Sequence, residues 1–107
     1  MKRSPRGYFD APTGQVHYRR AGAPGGEPLL LLHQSPLSSV QFEAVLPALG
    51  ALGYDAVALD MPGFGMSDAA SETATLAEYA TILPAALAFL GWPSASLVGH
   101  HTGAVVA

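Results

Sequence analysis

Four consecutive leucines, Leu29–Leu32, set the strongest constraint on the fold. The run is bounded by Pro28 and by the polar His33-Gln34-Ser35. A strand with one wet face alternates apolar and polar residues, whereas a strand covered on both faces has no need to. The run is therefore predicted to be a fully buried, parallel-type strand. Tyr54–Leu59 and Ala95–Val98 read as further strands. Between the strands lie helical patterns. In residues 38–52, Phe42, Val45, Leu46, Leu49 and Leu52 fall at helical spacing. Ser38 is placed to cap, Pro47 kinks or divides the segment, and Gly53 ends it. A capping box, Thr75-Leu76-Ala77-Glu78, opens a helix to about Leu90, which Gly91 and Pro93 stop. Ahead of all this, residues 7–20 read as a hairpin turning at Ala11-Pro12-Thr13-Gly14.

After the hairpin the order is strand, helix, strand, helix, strand, turn. That alternation predicts an α/β fold with a parallel sheet and right-handed crossovers. Ligands in such sheets sit at the carboxyl ends of the strands. Chemistry is thus expected in the loops His33–Ser38, Asp60–Asp68 and Gly99–Gly103.

Composition removes several function classes. A length of 107 residues accommodates one small domain with no internal boundary. With 50% apolar and 12% charged residues, the chain has the make-up of a packed core rather than of disorder. The absence of cysteine excludes disulfide scaffolds, thiol nucleophiles and Cys-ligated metals. The basic residues are Lys2, Arg3, Arg6, Arg19 and Arg20, and no Lys or Arg follows. A nucleic-acid surface needs cations spread along a groove, so no nucleic-acid partner is expected. The basic cluster reads instead as a solvated start of the chain. No apolar secretory segment follows it, and the leucine run is far below the ~18 residues that span a bilayer. The expectation is a cytoplasmic protein with no membrane partner; protein partners are not readable.

The sharpest chemical signal is Gly99-His100-His101-Thr102-Gly103, between a strand and an apolar helix start. Paired glycines permit a tight, strained turn that lifts the central side chain above the sheet. With Ser at the centre, such a turn is a nucleophile elbow; here the centre is His101. The plain reading is a glycine-rich turn with no role. Gly63-x-Gly65 could suggest a dinucleotide loop, but Asp68 replaces the third glycine, and no cofactor is expected. His33, His100 and His101 could suggest a metal site, but the adjacent pair would point to different sides of the turn. No carboxylate has ligand spacing, so no metal is expected. Ser67 and Asp68 read as loop stabilisers, Phe42, Leu46 and Leu49 as core, and Trp92 as a cover over a helix end.

From Gly7 to Ala107 the chain resembles the N-terminal part of the α/β-hydrolase fold. The hairpin resembles its antiparallel edge strands. Leu29–Leu32 with His33-Gln34-Ser35-Pro36 resembles the oxyanion loop after the third strand. Asp60-Met61-Pro62-Gly63-Phe64-Gly65-Met66-Ser67-Asp68 resembles the stretch after the fourth strand, and Gly99–Gly103 resembles the elbow. The resemblance implies a partial α/β-hydrolase domain: an edge hairpin, then parallel strand–helix units, ending at the elbow. It implies an acyl-transfer site in which backbone N–H groups of Ser35 and Thr102 hold an oxyanion. His101 stands in the nucleophile seat, Gln34 and His100 line the substrate pocket, and His33 anchors its loop by hydrogen bonds. Asp60, Gly63, Gly65, Gly99 and Gly103 complete the structural motifs.

The pattern departs from the family where His101 replaces Ser, Asp or Cys and where Gln34 replaces the usual Gly. Ser35-Pro36 resembles the dehalogenase branch, yet the Asp of an ester-forming dehalogenase is missing at position 101. The family's acid and distal histidine lie beyond the helix begun at Ala104. The expected function is a cofactor-free hydrolase of a small ester-like or other carbonyl-containing substrate. The alternative is a catalytically silent hydrolase-fold protein that binds a small molecule or a partner, or an inactive gene fragment.

On this reading the 107 residues made alone expose an apolar strand edge with unpaired N–H and C=O groups. The expected product is insoluble or molten, with poorly dispersed amide NMR signals. Sharp, dispersed signals with a cooperative melt would refute that expectation.

Overall fold

In the leucine run each side chain packs on the face opposite to its neighbour's. The computed structural model describes residues 6–22, 25–33, 38–60, 66–67 and 80–99. Its strands are β1 (Arg6–Ala11), β2 (Gly14–Ala21), β3 (Glu27–Leu32), β4 (Tyr54–Leu59) and β5 (Ser96–Gly99). Its helices are α1 (Leu46–Ala51) and α2 (Ile82–Leu90), with a 3₁₀ helix at Ser39–Phe42. Leu30 and Leu32 join Val16, Val57, Leu59, Ile82 and Ala86 on the α2 side of the sheet. Leu29 and Leu31 join Phe42, Leu46, Ala56 and Ala58 on the α1 side. Burying one such leucine contributes roughly 1.5–3 kcal/mol, and β3 does so in both directions.

The strands form one sheet in the order β1-β2-β4-β3-β5. The hairpin is antiparallel, with Ala11 opposite Gly14 across its turn. Gly14 has φ 118°, the left-handed freedom for which that turn needs glycine. β2 joins β4 antiparallel, while β3 pairs parallel with β4 and with β5. Pro28 falls at the second residue of β3, before the stretch bonded to β5 begins at Leu29. A missing N–H is tolerated at such a strand start.

The helical reading of residues 38–52 holds in its divided form. Ser38 caps the 3₁₀ helix, its hydroxyl accepting from the Val40 amide at 3.3 Å. Pro47 then sits in the first turn of α1, where its missing N–H breaks no bond. Because the axis breaks before Leu46, Val45 and Leu52 leave the buried stripe and are exposed. Phe42 and Leu46 stay in the core, with Leu49 packed against it.

The capping box Thr75–Glu78 lies outside the described residues. Ala80 is helical, Thr81 is a turn, and α2 runs from Ile82. Pro84 accounts for the interruption, since its ring disfavours a helical carbonyl at Ala80. At the other end Gly91 is left-handed (φ 71°), and Trp92 N–H reaches Leu87 C=O at 3.0 Å. Gly91 thus holds the predicted stop as a Schellman turn. Trp92 packs against the core, as predicted of a helix-end cover.

One reading is corrected. Arg19 and Arg20 are not part of a solvated basic cluster. Arg19 is buried, donating from Nε to Ser39 Oγ at 3.0 Å and pairing with Glu43 at 3.1 Å. Arg20 grips the buried Asp55 with two bonds of 2.8 and 2.5 Å, and its guanidinium lies 5.9 Å from the Trp92 ring centre. Their position on β2, beside β4 and the 3₁₀ helix, brings acids distant in sequence within reach.

Below β4 the backbone approaches itself closely. Gly22 has φ 101°, and a Cβ there would lie 2.0 Å from the Tyr54 carbonyl oxygen. Gly53 has φ 96° with open space around it. In the whole protein, Gly22→Ala is expected to destabilise by about 3 kcal/mol or more, combining strain and clash. Gly53→Ala should cost only about 1–2 kcal/mol, the left-handed penalty alone. Urea midpoints check the contrast, and equal losses would refute it.

Candidate active site

The parallel registers align three strand ends in one row. Leu32 of β3 lies opposite Leu59 of β4 and Gly99 of β5. β3, β4 and β5 therefore end at the same edge of the sheet, the edge at which the sequence reading expects the candidate loops. His33 is fully buried at the end of β3. Gly99 closes β5 and is the first glycine of the Gly99–Gly103 motif. Gln34, Ser35, Gly63, Gly65, His100, His101, Thr102 and Gly103 lie outside the described residues.

Asp60 organises the described part of this edge. It is about 1% exposed, so an unpaired carboxylate would be prohibitive there. Its Oδ1 accepts the Ser39 amide at 2.6 Å. Its Oδ2 accepts the Met66 amide at 2.9 Å and faces His17 Nδ1 at 2.8 Å. Burial alone would push this carboxyl up. Donation from Met66, from Ser39 and from His17 outweighs it and holds the group below its ordinary value of 3.8. Asp60 is thus held as an ionised acceptor, with His17 Nδ1 facing it as a donor.

Backbone bonds reinforce the same junction. The Asp60 amide donates to His17 C=O at 2.9 Å. Ser67 Oγ donates to Asp60 C=O at 2.7 Å and accepts the His17 amide at 2.9 Å. Ser67 therefore stabilises its loop, as predicted, by tying it to β2; Asp68 lies outside the described residues. Asp60 fastens both the segment after β3, through Ser39, and the segment after β4, through Met66. Among the described residues, no group of three or more His, Asp or Glu could hold a metal ion. Nor is any described helix long and apolar enough to cross a membrane.

Sequence reasoning missed His17 and Ser39. The available signal was a histidine between Val16 and Tyr18 in an alternating strand. Its meaning depends on the β2–β4 register, which pairs Tyr18 with Leu59 and so brings His17 to Asp60.

A family model for the alpha/beta hydrolase fold matches residues 27–107. The chain belongs to the α/β-hydrolase fold family. It is 41% identical over 59 residues to a haloalkane dehalogenase of Mycobacterium marinum, covering 55% of this chain and 20% of that protein. It is 33% identical over 93 residues to a soluble epoxide hydrolase of Corynebacterium, covering 87% of this chain and 32% of that protein. Among solved structures, an epoxide hydrolase from an endophytic Streptomyces superposes with a TM-score of 0.92 at 32% identity. That match covers 100% of this chain and 32% of the other. The chain thus spans about a fifth to a third of the length of these α/β-hydrolase relatives, whose names are those of hydrolases.

The depressed Asp60 carboxyl has a pH consequence. Between its folded value and the unfolded value near ~3.9, the native state binds fewer protons than the unfolded state. Its contribution is therefore complete above the unfolded value and lost as pH falls through the folded one. Asp60→Asn in the whole protein should lower stability most above about pH 5. Its deficit against the parent should shrink toward pH 3. Urea unfolding across that range tests this, and a deficit independent of pH would contradict it.

Proposed function

We propose that the protein is a hydrolase of a small ester-like or other carbonyl-containing substrate, with His101 in the nucleophile seat. The observation that carries this reading is the end of β5 at Gly99, in register with Leu32. Gly99 is the first residue of the Gly99–Gly103 motif, and β3 ends at the same edge just before His33. Family membership and the relatives named as hydrolases support the same reaction class.

In the proposed reaction His101 takes a proton from water. The oxygen attacks the substrate carbonyl carbon, and the N–H groups of Ser35 and Thr102 stabilise the resulting oxyanion. Collapse breaks the carbon–oxygen bond to the leaving group, which takes the proton back from His101. The products are an acid and an alcohol. Gln34 and His100 contact the substrate, and no cofactor enters the balance. The proposal includes a cytoplasmic location and a small-molecule substrate, with no nucleic-acid or membrane partner.

The second reading is a catalytically silent binding protein, and histidine at position 101 is the feature that favours it. The whole protein should hydrolyse a p-nitrophenyl ester, and His101→Ala should reduce the rate by at least about a hundredfold. The acid limb should show an apparent pKa near the ~6.5 of an ordinary imidazole. A rate unchanged in His101→Ala, or full activity at pH 5, would overturn the catalytic role. Turnover of a haloalkane or an epoxide, but of no ester, would overturn the substrate class.

A further inference from the structure

We propose that the cleft between the β1–β2 hairpin and Met66 binds a small hydroxycarboxylate. In this site His17 Nε2 accepts the ligand's hydroxyl and Arg6 holds its carboxylate. The cleft has a volume of about 290 Å³ and is lined by Arg6, Gly7, Tyr8, His17 and Met66. It opens on the hairpin side of Asp60, with β4 and β3 separating β2 from β5. The argument for it uses none of the residues of the proposed acyl-transfer site, and it stands whether or not that reading does.

The His17 ring supplies the first half of the argument. It is about 1% exposed, and Nδ1 is committed to Asp60. Nδ1 faces the Asp60 carboxylate as a donor, and the proposed site uses the tautomer in which Nε2 carries the lone pair. Nε2 is buried with no hydrogen-bond partner among the described residues. Buried polar atoms are almost always paired, so an orphaned ring nitrogen on the wall of a cleft has room for a further partner. Tyr8 lies directly across from His17 in the hairpin, with ring centres 5.2 Å apart. Tyr8 is itself 45% exposed and lines the same cleft, and in the proposed site its ring turns aside to admit the ligand's hydroxyl to Nε2.

Arg6 supplies the second half. Unlike Arg19 and Arg20, it has no carboxylate partner among the described residues. No Asp or Glu is among the residues that line the cleft. A guanidinium and a lone-pair nitrogen on one small cleft match a ligand with an anionic group and a hydroxyl close together. Glycolate is the simplest such molecule. The guanidinium takes a carboxylate through paired N–H donors, a strong and directional interaction.

The test uses the whole protein with ¹⁵N-labelled histidine. Long-range ¹H–¹⁵N spectra at neutral pH should show His17 protonated at Nδ1 with a bare Nε2. Glycolate should then shift the Nε2 resonance upfield in a saturable manner. Acetate, which lacks the hydroxyl, and ethylene glycol, which lacks the carboxylate, should each bind at least tenfold more weakly. Arg6→Gln, a change at an exposed residue, should weaken glycolate tenfold or more while leaving the amide spectrum dispersed. The proposal fails if Nε2 carries the proton, if glycolate produces no saturable shift, or if acetate or ethylene glycol binds equally well. It also fails if Arg6→Gln leaves glycolate affinity unchanged.

Discussion

Burial of β3 on both faces is the constraint from which the other elements take their positions. A strand of unbroken leucines cannot lie at a wet surface, so something must cover each side. On one side α2 supplies Ile82 and Ala86; on the other α1 and the 3₁₀ helix supply Leu46 and Phe42. The strand also needs hydrogen-bonding neighbours along both edges, and β4 and β5 take those places. Parallel neighbours require crossovers, and the crossovers carry the covering helices. Three layers and a common edge for three strand ends follow from one stretch of sequence.

At that edge the structure accepts a buried charge. Asp60 stays ionised because two backbone amides and an imidazole donate to it from three directions. Each donor belongs to a different segment, so satisfying one carboxylate also fixes how those segments meet. The arrangement resembles a capping interaction extended over tertiary distance. Satisfying the charge and positioning the loops are the same set of hydrogen bonds. Arg20 and Asp55 repeat the principle further down the sheet. There hydrogen bonding to Asp55 outweighs burial and raises the guanidinium above its ordinary value.

Much of the architecture was legible because it rests on local signals. The leucine run, Ser38, Gly53 and Gly91 each declare an element or its end through their own backbone chemistry. The shared strand edge was legible too, because parallel α/β sheets leave little freedom in where their loops emerge. What stayed hidden depends on register. His17, Ser39 and the acidic partners of Arg19 and Arg20 acquire meaning only when β2 is laid antiparallel against β4, a pairing between distant segments. The basic residues looked like one cluster along the chain, yet Arg6 lies on a cleft while Arg19 and Arg20 are bound to carboxylates. Adjacency in sequence was a poor guide because alternate residues of a strand face opposite ways.

The strand order also bears on how the chain reaches this fold. β1 and β2 can pair as soon as both exist, because a tight turn joins them. β2 does not then pair with β3, the next strand in sequence. It waits for β4, and β3 must find its place beyond β4. Loop closure over such separations precedes the gain from the contacts it permits. β4 is thus the kinetic junction: until it docks, a local hairpin and an apolar strand are separate pieces. The leucines of β3 are exposed for the whole of that interval, and the search for β4 becomes a competition with self-association.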